Sequence, residues 1–171
     1  MGAVLSLLVS TVLAATDGSL TAHVVKGNLP PAGYKAQPTL LQPSQGFTNP
    51  VIYNNNNNWR ESLVSGNQGQ VVMMTIDPKT NPSNDVPNEV HDFDQFILVN
   101  SGTALVSFSG GPLTKVSKGG WIFVPAFTAH YVKNASKTQS LKLLSIYTKW
   151  DTKEPGIAFK TIADEEAHGG Y

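Results

Sequence analysis

A short polar stretch that ends in an apolar run carries the side chains best suited to chemistry in this sequence. In PNEVHDFDQF, Glu89 and His91 stand two residues apart, so on a β-strand both side chains point to the same face. Gln95 follows across a short polar bend. The sequence has no cysteine, so any metal must be held by nitrogen and oxygen. The question is whether these groups converge on an ion or form a solvated loop.

A further nitrogen donor has to come from a distant part of the chain. The sequence has four histidines, at 23, 91, 130 and 168. His130 follows GGWIFVPAFTA and opens the run HYVKN, so its imidazole begins a predicted strand, and in a closed barrel it faces the same interior as His91. His23 and His168 lie alone near the ends of the chain, and we assign them no role.

The elements that must position these side chains are short β-strands. From Leu63 onward, apolar or alternating runs are divided by turn residues: LVS, QVVMMTI, FILV, TALVSFS, LTKVSKGG, WIFVP, HYVKN and LKLLSIY. Many short strands at close spacing predict an all-β sandwich or barrel, and a jelly roll is one way to close such a sheet. IADEEAH in the tail predicts a single helical turn.

At these residues the sequence resembles the cupin superfamily. Cupins carry a first motif G-x5-H-x-H-x3-E-x6-G and a second motif G-x5-P-x-G-x2-H-x3-N. Aligned without gaps, the first motif falls on Ser83, Glu89, His91, Gln95 and Gly102, and the second on Gly119, Pro125, Phe127, His130 and Asn134. The resemblance covers about residues 63 to 150 and implies a cupin double-stranded β-helix, a small jelly-roll barrel.

The chain departs from the cupin pattern at four positions. Ser83 and Phe127 replace glycines, and Phe127 is expected to narrow the mouth of the pocket. Glu89 replaces a histidine and Gln95 replaces the glutamate. The usual three histidines and one glutamate carry one negative charge, and so do Glu89, His91, Gln95 and His130. We therefore interpret the site as working, with its carboxylate relocated.

The resemblance implies a metal site with Glu89, His91, Gln95 and His130 as ligands. The cofactor is then one divalent transition metal, and mixed nitrogen and oxygen ligands leave iron, manganese, nickel, zinc and copper open. A small-molecule enzyme of dioxygenase type is the first functional hypothesis. The alternatives are a metal-dependent isomerase or lyase, and a secreted binding or structural protein without catalysis.

Other side chains near the predicted ligands are candidates to orient the imidazoles, form the core or line the cavity. Asp92 and Asp94 are candidates to orient the imidazoles, although acids in such a bend are more often solvated. Methionine and aromatic side chains on the strands are expected to form core, with Tyr131 and Tyr147 the candidates to reach the cavity. Asn134 is expected to cap a strand end.

The chain divides by composition into four parts. Residues 1–15 are predicted to be a signal peptide, because they are apolar, uncharged and too short to span a membrane. Residues 16–62 read as an extended N-terminal arm, 63–150 as the barrel and 151–171 as a C-terminal tail. A secreted location follows from the signal peptide, and Asn134-Ala135-Ser136 would then be a glycosylation sequon, which we expect to be unused.

Charge limits the partners. Twelve basic and twelve acidic residues without a block of like charge exclude a nucleic-acid or anionic-membrane footprint. The expected partner is a small-molecule ligand or substrate, with no nucleic acid and no membrane span. The resemblance to cupins also implies a homodimer.

Overall fold

The computed structural model describes residues 23–25, 27, 32–33, 57–78, 88–151 and 156–168. The predicted signal peptide and Ser83 lie outside these residues, as does most of the predicted arm. The described residues form eleven strands and one helix: β1 His23–Val25, β2 Arg60–Ser65, β3 Gln70–Ile76, β4 Glu89–His91, β5 Gln95–Ser101, β6 Thr103–Phe108, β7 Thr114–Ser117, β8 Trp121–Val124, β9 His130–Asn134, β10 Leu141–Tyr147, β11 Ala158–Phe159 and α1 Ile162–Ala167.

The strands form two sheets. One has the order β1-β4-β9-β6-β7 and the other β11-β2-β3-β10-β5-β8. All pairings are antiparallel except that of β1 with β4, which is parallel. This confirms the predicted all-β class and its double-stranded β-helix, and it brings β4 and β9, which carry the candidate histidines, next to each other.

Alternation along the strands places the core between the sheets. In β5, Ile97 and Val99 are buried while Phe96 is exposed, and in β8, Ile122 and Val124 are buried while Trp121 and Phe123 are exposed. A period of two is what a strand with one solvated face produces. The inward side chains join one apolar cluster with Val72 and Met74 of β3 and Leu143 of β10, among others.

The C-terminal tail packs against the first long strand. β11 pairs with β2, and α1 follows with a capping box in which Thr161 and Asp164 each satisfy the other's backbone N–H. The predicted helical turn is confirmed. β2 begins at Arg60, inside the range given to the arm, and the domain division as a whole stays a prediction.

Among the described residues, no helix has the length and apolar character needed to cross a membrane.

Candidate metal site

Three of the predicted ligands meet between the sheets. Glu89 and His91 lie on the same face of β4 and are 4% and 1% exposed, and Glu89 stands opposite His130 in the β4–β9 pairing. Oε2 of Glu89 lies 3.2 Å from Nε2 of His91 and 3.9 Å from Nε2 of His130. One ligand atom from each of the three residues lies within 4.8 Å of the other two. The three groups therefore converge and do not form a solvated loop.

Gln95 reaches the same cavity from the other sheet. Its Nε2 donates to Ser145 Oγ at 3.2 Å and to Tyr147 OH at 3.0 Å. Both hydroxyls lie within donating distance of the sulfur of Met74, which fixes them as acceptors from the amide. Oε1 of Gln95 is buried and has no hydrogen-bond partner among the described residues. An amide oxygen left in this state is available as a ligand.

The imidazole of His130 is held in the tautomer that leaves Nε2 unprotonated and able to bind a metal. Nδ1 of His130 lies 3.2 Å from the carbonyl oxygen of Thr128, and a carbonyl can only accept, so the proton sits on Nδ1. Nε2, which lies 3.9 Å from Oε2 of Glu89, then carries the free lone pair. The imidazole of His91 stacks on Phe93, with ring centroids 4.7 Å apart, and meets the edge of Tyr147.

Asp92 and Asp94 do not orient these imidazoles. Asp92 accepts from the backbone N–H of Gly27 and from Lys149, and Asp94 accepts from the backbone N–H of Ala126. The candidate role is not observed, because the bend turns both carboxylates toward the loops that flank β4. The aspartates fix the segment that follows the C-terminal end of β4.

Electrostatics shift the pKa values of two of the candidate ligands. Burial favours a raised pKa for Glu89, but the hydrogen bond with His91 and the positive charge of Arg60 outweigh it and lower that pKa to about 2. Burial lowers the pKa of His130, against the opposing effect of Glu89. The site therefore offers an ionised carboxylate, which fits a divalent metal ion.

The cavity beside the ligands has mainly apolar walls. Its polar members are Glu89, Gln95 and His130, and both sheets contribute to its lining: Met74, Ile76, Glu89, Gln95, Ile97, His130, Val132 and Leu143. Of the candidate aromatics, Tyr147 contacts Gln95 and His91 directly, whereas Tyr131 lies beside Lys133. Phe127 is 77% exposed and is not among the cavity-lining residues, so it does not narrow the cavity.

Asn134 is a structural residue. Its Nδ2 donates to the carbonyl oxygens of Ile76 and Gln139, and its Oδ1 accepts from the backbone N–H of Ser136. The side chain is buried and its hydrogen bonds tie β9 to the end of β3. Glycosylation of this folded form would require breaking these bonds.

A buried charged network behind Glu89 is absent from the sequence predictions. Arg60 is 1% exposed, and its Nη1 lies 2.8 Å from Oδ2 of Asp151 and 2.7 Å from Oε1 of Glu165. Its Nη2 lies 3.7 Å from Oε1 of Glu89. Trp59 donates to the second oxygen of Glu165 at 2.8 Å. The one feature of the sequence that could have pointed to this network is that Arg60 is the only arginine of the chain.

The fold and the site together define a β-barrel protein with a candidate metal centre inside the barrel. Residues 72–147 match the family model described as a cupin domain. This match is the family that the two motifs predicted, and the variant ligand positions lie within the matched region.

Two solved structures are similar to this chain. A crystal structure of BH2720 from Bacillus halodurans is 28% identical, with a TM-score of 0.61, and covers 71% of this chain and 92% of its own. A cupin family protein with a double-stranded β-helix fold from Methanocaldococcus jannaschii is 13% identical with a TM-score of 0.47, over 54% of this chain and 80% of its own.

A curated relative is also similar over part of its length. The uncharacterized protein L612 of Acanthamoeba polyphaga mimivirus is 34% identical over 96 residues, which are 54% of this chain and 58% of that protein. This chain therefore spans 58% of the length of that relative.

Proposed function

We propose that the protein binds one divalent transition metal through Glu89, His91, Gln95 and His130 and acts as a dioxygenase on a small molecule. The observation that carries the proposal is the position of Oε2 of Glu89 beside both histidine Nε2 atoms. Oε1 of Gln95, which has no hydrogen-bond partner among the described residues, lies in the same cavity. A bound metal would supply Lewis acidity and, for iron, manganese or copper, redox chemistry with dioxygen.

The lining of the cavity favours a dioxygenase over an isomerase or lyase. Of the described residues that line it, only Glu89 and His130 titrate, and both are proposed ligands. An isomerase or lyase has to move a proton at its substrate and needs a separate acid or base within reach. The remaining walls are Gln95 and apolar side chains, so no further acid or base lines the cavity among the described residues.

Oxygen uptake tests this function. Tag-free protein loaded in turn with Fe(II), Mn(II), Ni(II), Zn(II) or Cu(II) is mixed with a panel of chelating diketones, enediols and phenols under an oxygen electrode. We expect oxygen uptake only when a redox-active metal and one of the substrate classes are both present. His130→Ala should lose this uptake, and His168→Ala should retain it.

The alternatives give different results in the same assay. Turnover with Zn(II) in the absence of oxygen would replace the proposal with an isomerase or lyase. Ligand binding without turnover under any condition would indicate a binding protein.

Secretion is part of the proposal and rests on residues 1–15, which lie outside the described residues. N-terminal sequencing of protein collected from the medium of a eukaryotic expression host tests it. A mature N-terminus near Thr16 supports secretion, and protein retained in cells with Met1 intact contradicts it.

A further inference from the structure

The two oxygens of Glu89 face different partners. Oε2 faces the two histidines, at 3.2 and 3.9 Å from their Nε2 atoms, while Oε1 lies 3.7 Å from Nη2 of Arg60. A carboxylate that binds a metal through both oxygens would have to turn Oε1 away from the guanidinium. In the observed arrangement only Oε2 is turned toward the histidines.

Arg60 is itself fixed by acidic groups from the segment after the barrel. Nη1 contacts Asp151, which follows β10, and Glu165 on α1, at 2.8 and 2.7 Å, and all of these side chains are buried. Trp59 holds the other oxygen of Glu165. A buried guanidinium in contact with several carboxylates has little freedom to move, because leaving any of these charges without its partner inside the protein is costly.

We propose that Arg60 is a positioning residue of the metal site. It holds Oε1 of Glu89 so that the carboxylate gives the ion a single oxygen, Oε2, and Glu165 of α1 keeps the guanidinium in place. The inference rests on the proposed metal site and adds that the C-terminal helix, 105 residues from Arg60 in the chain, helps to set the ligand geometry. Outer partners of this kind commonly tune the affinity of a site.

Two substitutions separate positioning from overall charge. Arg60→Lys keeps one positive charge but replaces the forked guanidinium by a single ammonium that cannot contact Asp151, Glu165 and Glu89 in the same geometry. Glu165→Gln keeps the size of the side chain and removes one of the carboxylates that fix Arg60. Glu166→Gln is the matched control, because Glu166 is the exposed neighbour of Glu165 on α1.

Cobalt(II) titration followed by visible absorption is the test, since it reports both affinity and ligand geometry. We expect Arg60→Lys and Glu165→Gln to bind Co(II) at least about tenfold more weakly than the wild type, as for outer partners of metal ligands elsewhere. Arg60→Lys should also shift the absorption bands. Glu166→Gln should match the wild type in both measurements.

Different results would overturn the positioning role of Arg60 and the metal site itself. Folded Arg60→Lys and Glu165→Gln with wild-type affinity and wild-type bands would overturn the role of Arg60 while leaving the metal site intact, even if their melting temperatures fall. A wild type that binds no Co(II) would overturn the metal site and, with it, the inference. If Arg60→Lys does not fold, Glu165→Gln decides the question alone.

Discussion

Glu89 occupies a motif position where cupins usually have histidine. Its surroundings explain how a carboxylate can replace the imidazole at this position and stay ionised. The carboxylate is buried beside two imidazoles and the guanidinium of Arg60, which together keep its pKa low. Gln95, at the usual glutamate position, is fixed through Nε2 by two hydroxyls, and its oxygen has no partner in the described part of the chain. Like the usual cupin site, this site therefore has one carboxylate and one negative charge. The carboxylate lies on β4, whereas the usual glutamate position, Gln95, lies on β5 in the other sheet.

Restoring the usual glutamate at position 95 should make stability more dependent on metal. In Gln95→Glu without metal, a second carboxylate shares the cavity with Glu89 and the hydrogen bonds of Nε2 are lost, so the melting temperature should fall. A divalent ion neutralises both groups. We expect binding to tighten by about tenfold, which adds about 1.4 kcal/mol of stability at a fixed metal excess.

Thermal unfolding with and without Zn(II) measures this effect. Gln139→Glu, at an exposed position, is the control and should leave both melting temperatures unchanged. A metal-induced rise in Gln95→Glu no larger than that of the wild type would argue against Gln95 as a ligand.

At the level of elements, alternation and turn residues were enough to predict the barrel strands. Each of the runs from LVS to LKLLSIY lies within a strand of the structure or contains one. β1 and β11, of three and two residues, escaped prediction because a period of two cannot be recognised over so few positions. The contacts of Arg60 with Asp151 and Glu165 were also beyond reach, since they join residues far apart in the chain and leave no local pattern.

The turn before β9 explains why cupins usually have glycine where this chain has Phe127. Phe127 has a φ of 62°, in the left-handed region, and its backbone N–H donates to the carbonyl oxygen of His91 at 2.6 Å. A side chain in this conformation costs about 1–2 kcal/mol. The turn keeps its shape because it is bonded to the strand that carries the ligands.

Phe127→Gly should therefore stabilise the protein slightly. Relief of the left-handed strain exceeds the extra chain entropy of glycine, which is roughly 0.5–1 kcal/mol, and the exposed ring contributes little burial. We expect a gain of up to about 1 kcal/mol in the free energy of unfolding, measured by urea denaturation. Phe127→Ala, which keeps the strain, should show no gain, and equal stability of the two variants would contradict this explanation.

At the scale of the whole molecule, the outer face of the larger sheet carries aligned apolar side chains. Phe123, Phe96, Ile146, Val71 and Val64 stand opposite one another across five strands, and Phe96 stacks on Phe123. Exposed apolar rows of this kind are typical of interfaces. Because the row carries no charge, it can pack against the same row of a second chain about a two-fold axis without repulsion. This supports the predicted homodimer.

Light scattering after size-exclusion chromatography tests the homodimer. The wild type should have the mass of two chains, and Phe123→Lys, which places a charge at the β8 end of the apolar row, should shift the protein to a monomer. Leu113→Lys adds the same charge at another exposed apolar position and should remain dimeric. A monomeric wild type would contradict the prediction.

The metal site is tested by the metal content of tag-free protein purified without added metal, measured by elemental analysis beside His91→Ala. We expect about one equivalent of a divalent transition metal in the wild type and none in His91→Ala, since loss of one inner ligand removes a site of this kind. Absence of metal from the wild type, even after reconstitution with each candidate ion, would show that Glu89, His91, Gln95 and His130 do not form a metal site.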